Sequence, residues 1–189
     1  MIMAMQSYEE RFVRKQFFAY RNGMLAESMR NAGNVHSMIF GLNLHQIVEI
    51  AAGVTQDAAL AESLWSDTKC REARLFAPMV MPREALAEND AVRWCDSVAD
   101  CEEADVLCHR LLRYEPYAQD LVETYRTSGD GLKRYLAYRL MLNLLSMGRY
   151  TSEEQAESLA KAEMADAAPA LKSVLLSIID LIDIRRTGQ

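Results

Sequence analysis

The feature that most constrains this chain is a helix, a short turn and another helix, repeated from end to end. Apolar residues recur at steps of three and four, and no segment sustains the two-residue alternation of a strand. In GLKRYLAYRLMLNLLSMG, Leu132, Leu136, Leu140 and Leu144 fall at successive i,i+4 positions. In LNLHQIVEIAAG, Leu44, Ile47, Val48 and Ala51 mark one face, and Gly53 stops it. Asn22-Gly23 breaks the first long segment, in which Phe12, Phe17 or Phe18, and Leu25 recur at helical spacing, and two prolines end CREARLFAPMVMP. Expected helix starts are Ser7 (with Glu10, a capping box), Thr55, Asn89 or Asp90, Asp100, and Thr151 or Ser152. The 8 Gly and 4 Pro are few for 189 residues, which favours an all-α fold. Paired helices of this kind predict a HEAT-like α-α superhelix of antiparallel helix pairs. No stretch is long enough to be a linker, so one domain over residues 1–189 is expected.

Charge and cysteine content narrow the class. A net charge of -6 argues against a general nucleic-acid coat but leaves room for a local basic face. Cys70, Cys95, Cys101 and Cys108 form no C-x-x-C pair, so neither a zinc ribbon nor a thioredoxin-type motif is present. Four such thiols fit a reducing cytoplasm. The apolar start MIMAM is too short for a signal-peptide core or a membrane span, so a cytoplasmic protein without membrane contact is expected.

The stretch SVADCEEADVLCHRLL concentrates the chemistry. Read as a helix, it puts Cys101, Asp105 and Cys108 on one face, beside an apolar arc of Ala104, Val106, Leu107, Leu111 and Leu112. Asp100 reads as the N-cap, and Glu102 and Glu103 suit the positive end of the helix dipole. Cys101, Asp105, Cys108 and His109 have the spacing of metal ligands, but no second His/Cys pair completes a set; His36 and His45 lie in a different helix pair. No metal or cofactor is therefore expected, and the cysteines read as small core residues. Asp105 has two readings: a carboxylate paired with an arginine near the core boundary, or a reactive group.

The order of motifs bears on the choice and leaves both readings open. FGLNLHQIVEIA, then Leu64-Trp65, then Arg71-Glu72, then Trp94, CEEADVLCHRLL and LKRYLAYRLMLNLL resemble the DNA alkylation repair family of HEAT-like DNA glycosylases over roughly residues 24 to 147. The resemblance implies hydrolysis of the glycosidic bond of N3- or N7-alkylated purines in duplex DNA. It implies that Asp105 is the catalytic carboxylate and that Arg134 grips phosphate. The family's tryptophan four residues before that aspartate falls on Cys101, and its neighbouring aspartate on Glu102, so an aromatic wall is missing.

A DNA-binding face needs cations. Arg71 and Arg74, Arg110, and Lys133, Arg134 and Arg139 recur on successive predicted helices and are the expected phosphate contacts; Lys69 and Arg113 are near them. The same residues also read as ordinary solvated helix faces. Trp65 and Trp94 read as core anchors, and Tyr114, Tyr117, Tyr125, Tyr135 and Tyr138 as helix-packing surface. The missing aromatic at Cys101 keeps a non-catalytic DNA-binding relative as an alternative, and the acidic balance keeps a protein-interaction scaffold, with a protein partner or a homodimer. The apolar face of the last helix, Leu175, Leu176, Ile178, Ile179 and Leu181, suits packing on its own chain or on another copy.

Overall fold

The computed structural model describes residues 8–188. Among these there are eleven α-helices, two short 3-10 turns and no strand; Met38 and Cys70 make one isolated bridge. The expected capping box at Ser7 lies outside the described residues. The helices gather into two compact units, Met1–Ala87 and Glu88–Gln189.

The first unit holds α1 (Tyr8–Ala19), α2 (Gly23–Asn31), α3 (Leu44–Ala52), α4 (Ala58–Trp65) and α5 (Arg71–Val80). Its core is built on Phe17, whose ring meets Phe40 at 6.0 Å and Phe76 at 5.5 Å, with Ile47, Leu64 and Trp65 around them. Phe12 and Phe18 are exposed instead. Asn22 caps α2 through the Leu25 amide, as the Asn22-Gly23 break suggests. The cap of α4 is Asp57, which accepts from Leu60 N at 2.6 Å, and not Thr55. Pro78 does not end α5 but lies inside it, and the helix runs on to Val80.

α5 is buried almost all round, charged residues included. The Glu72 carboxylate accepts from the backbone amides of Phe40 (3.0 Å), Gly41 (3.0 Å) and Leu42 (3.3 Å), and from the Arg71 guanidinium at 3.1 Å. Arg71 also donates to Leu42 O at 2.9 Å. Arg74 donates to Trp65 O at 2.7 Å and stacks over the indole at 3.5 Å. The Phe-Gly turn, the Leu-Trp pair and the Arg-Glu pair are thus three parts of one buried polar clamp. The turn can be this tight because Gly41 sits at φ +81, where an added Cβ would lie 2.2 Å from Asn22 O.

The second unit holds α6 (Glu88–Asp96), α7 (Cys101–Arg110), α8 (Ala118–Arg126), α9 (Gly131–Ser146), α10 (Glu153–Glu163) and α11 (Pro169–Thr187). α9 is central, packing against every other helix of the unit. Its Leu136, Leu140 and Leu144 are buried, together with Trp94, Leu107, Cys108, Leu175 and Ile178 from its neighbours. Each leucine or isoleucine among them contributes roughly 1.5–3 kcal/mol on burial. Asp100 caps α7 through Glu103 N at 2.9 Å, and Ser152 caps α10. Asn89 and Asp90 are inside α6, which begins at Glu88. α11 packs on α9 and α10 of its own chain through Val174, Leu175, Ile178 and Ile182, and Leu176 is exposed.

Two substitutions test the clamp. Gly41→Ala forces a side chain into the left-handed region and against Asn22, and should lower stability by about 2 kcal/mol or more. Glu72→Gln points an amide donor at amide donors and should cost about 3 kcal/mol. Urea unfolding of both variants beside the wild type measures these losses. A change under half a kilocalorie in either would show that the clamp does not hold the unit.

Candidate functional site

Asp105 is in the second turn of α7 and lies at the rim of the α7–α9 contact. Two i,i+4 series meet there: Cys101, Asp105 and His109 on α7, and Tyr135, Arg139 and Asn143 on α9. The register between them is set by the apolar residues alongside, with the buried Cys108 thiol donating to Leu136 O at 3.6 Å.

The Tyr135 hydroxyl donates to Asp105 Oδ1 at 2.8 Å, and Arg139 Nε lies 3.0 Å from the same oxygen. The Arg139 contact is an ion pair and not an aligned hydrogen bond, because the buried Nε–H points at no acceptor. Among the described residues Asp105 Oδ2 has no hydrogen-bond partner, nor do the terminal nitrogens of Arg139. The Asp105 side chain is 36% exposed and that of Arg139 30%. One carboxylate oxygen is therefore tied and the other open, beside an arginine fork that is also open. Partial burial pushes the Asp105 carboxyl above its ordinary range, and the Tyr135 hydrogen bond and the Arg139 charge hold it back.

The rest of the α7 series completes the surroundings. Burial and the charges of Arg113 and Arg110 hold the His109 pKa below its usual value, against a hydrogen bond with Asn143, and its Nδ1 lies 3.1 Å from Arg113 Nη1. Asn143 is buried and its Nδ2 has no partner. Cys101 is half-buried one turn before Asp105, and burial and the Asp105 charge push its thiol up. Cys108 is fully buried. Among the described residues no three His, Cys, Asp or Glu side chains come together so as to hold an ion.

The structure redistributes the expected cations. Arg134, read as the phosphate grip beside Asp105, points the other way: Nε meets Glu163 at 2.9 Å, and Nη1 donates to Ser128 O at 2.8 Å and Gly129 O at 3.3 Å. Lys133 pairs with Asp96 on α6. Arg71 and Arg74 are the clearest corrections. Both are buried in the first unit with their guanidinium groups on backbone carbonyls, so neither presents itself to a phosphate. Arg110 is half-buried and has no ion pair among the described residues. Tyr135 stands among the tyrosines expected to pack helices in preference to stacking on bases, yet it orients the carboxylate. Its spacing to Arg139 on one helix is the signal that could have marked the pair.

A family model described as DNA alkylation repair enzyme matches residues 13–173. A solved structure described as "A new family of proteins related to the HEAT-like repeat DNA glycosylases with affinity for branched DNA structures" superposes with a TM-score of 0.81 at 21% sequence identity. The superposition covers 94% of this chain and 77% of that one. At that identity the likeness establishes the fold, all-α and HEAT-like. No curated protein matches the chain. No helix among the described residues is long and apolar enough to cross a membrane.

Because the folded Asp105 carboxyl holds its proton more tightly than an ordinary aspartate, ionising it works against the fold. Its contribution is most favourable below the ordinary aspartate value and is lost as pH rises through the raised one. Asp105→Asn should therefore melt progressively higher relative to wild type as pH is taken from acid to neutral. Melting curves across that range check this; a difference that shrinks or stays flat would contradict it.

Proposed function

Because the chain belongs to the DNA alkylation repair enzyme family, we propose that it binds duplex DNA along α7 and α9 and excises N3- or N7-alkylated purines. The observation that carries the reading is Asp105 itself, with Oδ1 fixed by Tyr135 and Oδ2 open beside the Arg139 fork. Alkylation makes the base cationic, so it departs with the glycosidic electron pair and leaves positive charge on the sugar. A fixed carboxylate stabilises that charge where it develops. Water then adds to the sugar carbon, and its proton passes to Asp105 or to solvent. Arg139 offers its terminal nitrogens to the adjoining phosphate. The hydrolysis involves no change of oxidation state, so the reading calls on no cofactor. Arg110, at the end of α7, is a further phosphate contact. We place the protein in the cytoplasm, where its free thiols stay reduced. The affinity for branched DNA in the description of the structural neighbour supports a DNA-binding reading.

A second reading is a DNA-binding member that breaks no bond. It is favoured by Cys101, which stands where the resemblance places a tryptophan and gives the carboxylate no aromatic wall. A protein partner or a homodimer is the reading left if duplex DNA does not bind.

The direct test is release of free base from methylated duplex DNA. Wild type should release alkylated purine, and Asp105→Asn should be slower by about 100-fold or more. Arg139→Gln should weaken duplex binding and reduce the slope of log affinity against log salt by about 0.9. Arg134→Gln should leave that slope unchanged and lower stability instead. Binding without release by wild type would select the second reading; a salt slope that moves with Arg134 and not Arg139 would move the phosphate contact.

A further inference from the structure

We propose that the exposed side of α1 is a docking surface for single-stranded nucleic acid, apart from the Asp105 site. At 3.6 residues per turn, Tyr8, Arg11, Phe12, Lys15 and Phe18 fall on one side of the helix. That side faces solvent: Tyr8 is 74% exposed, Phe12 42% and Phe18 57%. The opposite side carries Val13 and Phe17, both fully buried. The helix therefore buries Val13 and Phe17 in the core, and its outward side is dominated by rings and cations, with Glu9 and Ala19 also exposed.

Cations and rings alternate there. One shallow depression is lined by Tyr8, Arg11, Phe12 and Lys15, and the next by Arg11, Arg14, Lys15 and Phe18. Arg21, just past the helix, stacks over Phe18 at 3.9 Å. Residues 8–24 hold four cations against two acids in a chain of net charge -6. Of those acids, Glu10 is buried against Arg14 and Ser63, and Glu9 is exposed at the edge of the stripe, about a sixth of a turn from Phe12. The rings span about 15 Å of helix.

This chemistry fits an unpaired strand. Exposed rings stack on bases, which a duplex keeps inside, and cations between the rings meet the phosphates. An apolar protein partner would call for large aliphatic side chains on this side, and the one aliphatic residue that α1 exposes there, Ala19, is small. The proposal leans on the DNA-binding reading only for the kind of ligand; it uses none of the residues of the Asp105 site.

The test is fluorescence anisotropy with a labelled single-stranded oligonucleotide and a blunt duplex, on the full chain, at several salt concentrations. Phe12→Ala with Phe18→Ala should weaken single-strand binding tenfold or more, with duplex binding and base release unchanged. Phe12→Tyr should restore the affinity of a Phe12→Ala chain. Arg11→Gln with Lys15→Gln should lower the single-strand salt slope by about 1.4. These cation variants serve if the alanine pair does not fold. No single-strand binding at low salt, equal binding by the variants, or a dimer that the Phe12 and Phe18 changes dissolve would each overturn the proposal. Single-strand binding that persists while methylated duplex yields no base would sink the excision reading and leave this one standing.

Discussion

The packing of α7 on α9 is the constraint on which the candidate site depends. Leu107 and Cys108 on α7 and Leu136 and Leu140 on α9 are all buried, the Cys108 thiol meets Leu136 O, and that packing fixes how the two helices register. Once it is fixed, the next residues around each helix are placed without further choice. Asp105 comes opposite Tyr135 and Arg139, and Arg134, one residue before Tyr135, is turned toward Glu163 on α10. A polar group at the rim of such a contact is held by the apolar groups inside it, which is how a carboxylate can be fixed at one oxygen and open at the other.

The carboxylates of Glu72 and Asp105, one buried and one half-exposed, are used in opposite ways. In the first unit, Glu72 meets three backbone amides and an arginine, and Arg71 and Arg74 are spent on carbonyls. That clamp is closed and shapes a turn. In the second unit, Asp105 accepts one hydrogen bond and sits beside one cation, and burial raises its proton affinity. It is the incomplete pairing that suits Asp105 to a charge supplied from outside, and the complete pairing that excludes Glu72 from such a role.

Much of this was legible in the sequence. The helix order, the buried tryptophans, the Asp100 cap and the polar stretch around Asp105 follow from periodicity and capping chemistry, which are local. What failed was less local. Arg71 and Arg74 look like solvated cations because nothing in the chain shows that α5 is enclosed on every side. Arg134 and Arg139 are both plausible partners of Asp105 until the register of α9 against α7 is known. Asp57 displaced Thr55 as a cap, and Pro78 lies within a helix, because tertiary contacts outweigh single-residue preferences.

The central claim is that Asp105 meets positive charge on a sugar. It is tested most directly by comparing duplexes that carry a cationic pyrrolidine or a neutral tetrahydrofuran in place of one nucleoside. Wild type should bind the cationic duplex more than tenfold tighter, and Asp105→Asn should lose that preference while keeping its affinity for the neutral one. Equal affinities for the two duplexes in the wild type, or a preference that survives in Asp105→Asn, would contradict the account.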